Sequence, residues 1–335
     1  MSAETLQLWL KRLLVPALLV IPLFTDRYVQ YVLNLIMIYV IVGIGLNFLL
    51  GYAGQFAFAH AALMGIGAYA CALLMSRLSF PFWIALPLAG VVAMLVGSLV
   101  ALPAMRMKRV YLALVTLAFA ELIQWILIHW KAVTLGTDGV SLPPTLLFGF
   151  KLTGDHPMAY LILFVTVLMY VLGQRIVTSR FGRALVALRE NEIVAQCSGI
   201  NIAKTKLMVF ALSSFYAGIG GGLFALALGF IVPDGFGLFQ LVVHFSLVVI
   251  GGLISMYGSV IGAVVLTALP ELLRDFQWLQ EIIYGFTLVI FILFMPYGIA
   301  GVGKRVGILP REILVRGWQK LEGAKVARRA SGASR

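Results

Sequence analysis

The residues of this chain that could do chemistry are few and widely spaced. Glu121 lies in the otherwise apolar run Tyr111-Leu-Ala-Leu-Val-Thr-Leu-Ala-Phe-Ala-Glu-Leu-Ile-Gln124, and Gln124, three residues on, shares its helix face. A carboxylate inside an apolar helix is costly, so it should face protein, water or a partner. It could relay protons, or else line a pathway or bridge to a neighbouring helix. The second role is favoured because no companion Asp, Glu or Lys falls within a span. His60, His129 and His244 are dispersed and lack the spacing of metal ligands. His60 and His244, with Gln55, are further candidates for lining a pathway, against the alternative of histidines hydrogen-bonded inside the packing. Asn34, Asn47 and Gln55 could bond between helices. Cys71 and Cys197 form no metal or disulfide pattern. Clustered nucleophiles, acids and bases are lacking, so no catalytic residue, metal ligand or cofactor is assigned.

One motif comes close to nucleotide chemistry. Gly298-Ile-Ala-Gly-Val-Gly303-Lys304 fits the first seven positions of the phosphate-binding loop, but Arg305 stands where Ser or Thr should hold magnesium. The run also follows an apolar helix instead of a strand, and it reads as the cytoplasmic end of a last span. The chain is then expected to carry no ATP site of its own.

The elements that must position these residues are set by composition. Of 335 residues, 62% are apolar and 11% charged, with a mean hydropathy of +1.03. A soluble fold could not hide that much apolar surface. The expected class is an all-α polytopic integral membrane protein. Apolar runs long enough to cross the hydrocarbon fall at about 10–25, 29–50, 56–75, 82–102, 110–130, 157–177, 207–231, 238–257, 258–273 and 279–300, which makes about ten spans with a range of about 8–10. The short ninth could be broken or re-entrant. Lys11 and Arg12 before Leu13–Phe24 imitate a secretory signal, but no small-residue cleavage site follows, and a retained span is expected.

Positive charge orients the spans. A cytoplasmic N-terminus places Lys11, Arg12, Arg106, Lys108, Arg109, Arg175, Arg180, Arg183, Arg189, Lys204 and Lys206 inside, together with the basic tail. Arg27, Arg77, Lys131, Lys151 and Arg274 remain outside. The net charge of +12 is thus explained by membrane insertion, without a nucleic-acid partner. Both termini are expected in the cytoplasm. Residues 1–303 form the transmembrane domain and 304–335 a basic tail, partly disordered, which could lie along anionic lipid.

Two glycine-rich clusters, Gly51–Tyr69 and Gly251–Ala263, sit early in each half and suggest an internal repeat. In the first, Ala57, Ala61, Gly65, Ala68 and Ala72 fall on one small-residue stripe suited to close helix packing. Between the clusters, a loop at about 178–206 carries an amphipathic helix from Gly182 to Cys197, with apolar Leu185, Leu188, Ile193 and Ala195 among Arg183, Arg189, Glu190 and Glu192. Gly199 ends it as a C-cap. Its length and mixed charge suggest a docking surface for a second protein.

Four ordered blocks carry a family resemblance: Gly51–Tyr69; Tyr111–Ile123 with Gly136-Thr-Asp-Gly139; Ser179–Lys206; and Gly218–Glu271. The chain resembles, from about Tyr39 to Gly303, the permeases of bacterial high-affinity branched-chain amino acid ABC importers, whose fold is of the type II importer kind. The resemblance implies a pore-forming subunit of the inner membrane, paired with a second permease in a heterodimer. It also implies two ATP-binding subunits seated on the loop and an extracytoplasmic binding protein that delivers substrate. Gly182, Arg183, Arg189, Glu190, Glu192 and Gly199 would form the coupling element. The loop departs from the generic Glu-Ala-Ala motif with Gly six residues after the Glu, because Glu192 stands seven before Gly199. Urea, amides or aromatic acids are alternative cargoes. An ion-coupled secondary transporter is the rival, with Glu121 as its one central acid.

Overall fold

The computed structural model describes residues 26–104, 107, 109–143, 146–147, 150–151, 155–272, isolated positions between 282 and 289, and 298–305. The first expected span, most of the tenth and the tail past 305 lie outside the described residues. Within them the chain is an all-α bundle with short β-pairings in its loops. Six helical stretches are long and apolar enough to cross a membrane: Arg27–Tyr52, Phe82–Pro103, Tyr111–His129, His156–Thr178, Ile202–Leu228 and Pro233–Gly251. Two shorter apolar helices, His60–Ser76 and Met256–Leu269, accompany them. These eight correspond to the second to ninth expected spans.

In chain order the helices are α1 (Arg27–Leu46), which continues as a π-helical turn over Asn47–Tyr52, then α2 (His60–Ser76), α3 (Phe82–Ala104) and α4 (Arg109–His129). A one-turn helix α5 (Lys131–Thr134) follows, then α6 (Asp155–Thr178), α7 (Arg180–Glu190), α8 (Glu192–Cys197) and α9 (Ile202–Leu228). The series ends with α10 (Leu238–Gly251), α11 (Met256–Leu272) and α12 (Gly298–Arg305). In α1 and α9 most of the apolar stretch is buried, 72% and 67%, whereas in α4 only 22% is. The first two are the centre of the bundle; α4 lies on its flank.

Backbone contact at glycine holds the centre together, as expected where lipid supplies no hydrophobic force between helices. A Cβ on Gly67 of α2 would lie 2.3 Å from Gly218 Cα of α9, and one on Gly221 would lie 1.9 Å from the Met64 carbonyl oxygen. Ala61, Ala68 and Ala72 are buried as the small-residue stripe requires, and Gly65 receives the Phe236 ring. Ala57 is buried but precedes the helix, which begins at His60, so the stripe is one residue shorter than expected.

The bundle has two distinct ends. At one, the α1–α2 connection meets α7, since Gly54 (φ +64°) packs on Arg189. At the far end, Arg77 after α2 reaches the carbonyls of Ala132 and Val133, and β1 (Val140–Ser141) pairs antiparallel with β4 (Phe230–Ile231). A second small pairing joins β2 (Leu146–Leu147) to β3 (Phe150–Lys151).

Several expected boundaries move. The span expected at 207–231 is α9, whose helix starts at Ile202, so the loop is shorter than 178–206. The hairpin expected to turn at 257 turns instead at Gly252–Ser255, where Gly252 (φ +117°) and Ile254 (φ +59°) are left-handed. The helix expected from Gly182 to Cys197 is broken. Asn191 is extended (φ −159°, ψ 115°), and its side-chain oxygen accepts from Ile193 N at 2.9 Å and Val194 N at 3.2 Å. An Asn side chain that competes for backbone donors ends one helix and caps the next.

Candidate functional site

The two-part loop is built from three side-chain caps. Ser179 Oγ accepts from Phe181 N at 3.1 Å and Gly182 N at 3.4 Å and starts α7; Asn191 starts α8; Asn201 Oδ1 accepts from Lys204 N at 3.0 Å and starts α9. Each cap satisfies helix-start donors that would otherwise lack partners. Gly182 is required by space, since a Cβ there would lie 2.0 Å from the Val177 carbonyl oxygen. Gly199 (φ +82°) closes α8 in the left-handed conformation, with Ile200 N donating back to Ala195 O at 3.1 Å.

The break at Asn191 re-phases the apolar face. Leu185, Leu188 and Ala195 are buried as the amphipathic pattern predicts. Ile193, expected on that same face, is instead 73% exposed, beside Val194 at 60%. Two apolar side chains are thus displayed on a short, doubly capped helix. Among the charged residues, Arg183 donates to Thr178 O at 3.4 Å and Glu190 is exposed. Glu192 pairs at 3.0 Å with Lys206, whose side chain is 5% exposed. Fourteen residues separate the two, so no helical spacing announces the pair.

Arg189 reaches back into the bundle and donates to the Gly51 carbonyl in the π-helical turn. The same turn is tied on its other side. Asn47, fully buried, donates through Nδ2 to Ser255 O (2.8 Å) and Ser259 Oγ (3.1 Å), and its Oδ1 accepts from Ile254 N at 3.2 Å. A Cβ on Gly51 would lie 2.9 Å from Ile254 N. The two glycine clusters therefore meet in space. Irregular backbone at this depth is tolerated because neighbours satisfy its polar groups. One turn links the loop to the α10–α11 hairpin.

His60 and His244 also come together, with ring centroids 5.8 Å apart inside the bundle. His60 Nε2 lies 3.0 Å from the Val42 carbonyl oxygen, so it carries the proton, and Nδ1 accepts from Ser213 Oγ at 3.3 Å. Gln240 Nε2 donates to His244 Nε2 and to the Tyr39 hydroxyl, each at 3.1 Å. His244 Nδ1 has no partner among the described residues. Gln55 is buried in the α1–α2 connection, its amide 3.5 Å from Ala53 O. His129 stacks on Trp125 at 4.3 Å near the far end. No group of three metal-ligating side chains occurs among the described residues.

Glu121 and Gln124 meet α10 at a narrow seam with Ala61, Phe236, Leu238 and Leu241. Glu121 is exposed on the flank of the bundle, and the Gln124 amide lies against Gly237, where a Cβ would come within 2.8 Å. Glu121 has no hydrogen bond or ion pair among the described residues. The near-match to a phosphate loop, Gly298–Arg305, is helical as α12.

No solved structure gives a significant match. The chain is 32% identical over 317 residues to the high-affinity branched-chain amino acid transport system permease protein LivM of Escherichia coli, covering 86% of this chain and 75% of that one. It is 24% identical over 313 residues to a probable branched-chain amino acid transport permease LivM of Methanocaldococcus jannaschii, covering 78% and 90%. A ribose import permease, RbsC of Haemophilus influenzae, is 25% identical over 242 residues, covering 70% and 73%. The model of the family described as the permease component of the branched-chain amino acid transport system matches residues 28–295. With its buried polar turn, its capped loop and its glycine-packed apolar spans, the chain belongs to the branched-chain amino acid transport permease family.

Proposed function

We propose that this chain is the translocation subunit of an ABC importer for branched-chain amino acids or related small solutes, driven by ATP hydrolysis on separate subunits. Family membership supports the transport class, and the exposed Ile193–Val194 pair on α8 supports the coupling role. Exposed apolar side chains on a rigid loop helix are the kind of anchor a partner buries. Two ATP-binding subunits serve the importer, one of them seated on α7 and α8. Arg189 and the Asn47–Tyr52 turn then carry loop movement to the α10–α11 hairpin. The chain itself needs no cofactor and hydrolyses no ATP.

A second, similar permease completes the pathway, as the LivM and LivH permease likenesses suggest. Glu121 and Gln124 line that pathway, because a carboxylate exposed in an apolar span is not stable against lipid. The chain crosses the bacterial inner membrane in about ten spans with both termini inside. The loop end is then cytoplasmic, and the far end meets an extracytoplasmic binding protein.

The test is reconstitution with both ATPase subunits, the second permease and the binding protein in proteoliposomes. Radiolabelled leucine should accumulate only with the binding protein outside and ATP inside, on the loop face. Ile193→Asp with Val194→Asp should insert normally but fail to co-purify with the ATPases. Uptake driven by an ion gradient without ATP would establish the secondary-transporter reading instead.

A further inference from the structure

The far end of the bundle carries a cleft of about 300 Å³ between the end of α2 and the Val133–Ser141 segment, the lower limit of ordinary small-molecule sites. Its apolar wall includes Leu73, Val133, Leu135 and Phe230, and its charged groups are Arg77 and Asp138. We propose that this cleft is a vestibule for a zwitterionic α-amino acid with an apolar side chain, its carboxylate on Arg77 and its ammonium on Asp138. This rests on the importer reading above, in which the far end faces arriving substrate.

Both charged groups are held by their surroundings. Arg77 Nη2 donates to Ala132 O at 2.7 Å and Val133 O at 3.0 Å, which fixes the guanidinium plane and leaves its other donors open. A guanidinium presents five donors, so with Nη2 engaged the Nε–H and Nη1–H groups remain to bond a carboxylate. Asp138 sits on the short helical turn Gly136–Asp138, from the Gly136-Thr-Asp-Gly139 motif. The turn is set by left-handed residues on either side, Leu135 (φ +60°) and Gly139 (φ +72°). Thr134 secures it: its hydroxyl donates to Leu127 O at 2.7 Å and Trp130 O at 2.9 Å and accepts from Gly136 N at 3.2 Å. The β1–β4 pairing backs the other side, with a Cβ on Gly139 falling 2.5 Å from Ile231 O.

The Asp138 carboxylate makes no hydrogen bond and no ion pair among the described residues, although Arg77 lines the same cleft. Opposite charges kept apart on a preorganised frame, with an apolar wall beside them, mirror the three parts of such an amino acid. Solvent competes for exposed charges, so the site is weak, which suits a station that substrate must leave.

The experiment uses the full importer in nanodiscs, with Ser76→Cys as a reporter in the cleft and Cys197→Ser to remove the exposed native thiol; Cys71 is buried. Saturating leucine should slow thiosulfonate modification at position 76 several-fold. Isocaproate, which lacks the ammonium, and isoamylamine, which lacks the carboxylate, should not. Asp138→Asn should abolish the protection by leucine while modification without ligand keeps its rate. Equal rates with and without leucine, or equal protection by all three compounds, would overturn the vestibule. Protection by ligand-free binding protein, with none by leucine, would make the cleft a docking surface and also overturn it. ATP-driven uptake by the same purified proteins reconstituted in proteoliposomes separates the two readings: its absence in the parent importer refutes the importer, whereas unprotected modification with intact uptake refutes the vestibule alone.

Discussion

Asn47→Ala tests the link between the loop and the hairpin most directly. The substitution removes the two hydrogen bonds donated to Ser255 O and Ser259 Oγ and the one accepted from Ile254 N. Ser259 Oγ can rotate to another acceptor. The Ile254 N–H and the Ser255 carbonyl belong to the backbone and cannot. Orphaning a buried polar group costs about 1–3 kcal/mol, and interhelical polar contacts in membranes average nearer ~0.6 kcal/mol, so the two lost backbone partners should together cost about 1–4 kcal/mol. Gly51→Ala attacks the same contact from the other side, since its Cβ would fall 1.8 Å from Asn47 Oδ1. The double variant should therefore lose less than the sum of the singles, with a coupling of about 1 kcal/mol or more. Unfolding in detergent can be followed by maleimide labelling of buried Cys71 in a Cys197→Ser background. In proteoliposomes, Asn47→Ala should hydrolyse ATP with little uptake. Stability within about 0.5 kcal/mol of the parent, or strict additivity of the two substitutions, would refute the reasoning.

Four further outcomes are expected. Glu192→Gln leaves the buried Lys206 ammonium without its anion and should cost about 1–3 kcal/mol in thermal unfolding, while adding Lys206→Met should recover much of it. Gly221→Ala places a methyl 1.9 Å from a backbone oxygen and should abolish the folded, detergent-stable state. Gly199→Ala meets nothing within 4 Å and pays only for its left-handed backbone, so it should melt within about 1–2 kcal/mol of the parent. Asn191→Ala removes the cap that starts α8 and should weaken ATPase co-purification without altering insertion, at a cost of about 1 kcal/mol.

Much of the architecture was legible because lipid makes hydropathy nearly decisive. An apolar run of sufficient length has few alternatives to a helix, so the second to ninth spans appear close to their expected places. The caps were less legible. Gly199 reads as a helix terminator because a left-handed turn favours glycine, but Asn191 reads equally as one more polar residue on an amphipathic face. Only the folded backbone reveals that its side chain takes two donors and turns Ile193 outward.

The sequence by itself determined that the chain lives in a membrane and that its small residues pack helices closely. These are properties of composition and period, which need no knowledge of neighbours. Tertiary structure decided which distant residues meet. Asn47 finds Ser255 and Ser259, His60 finds His244, Lys206 finds Glu192, and Arg189 finds the Gly51 carbonyl. Glu121, which the sequence groups only with Gln124, proves to share its seam with α10. No periodicity encodes such pairings, because they depend on how helices cross, and the crossings are set by glycine contacts between segments far apart in the chain.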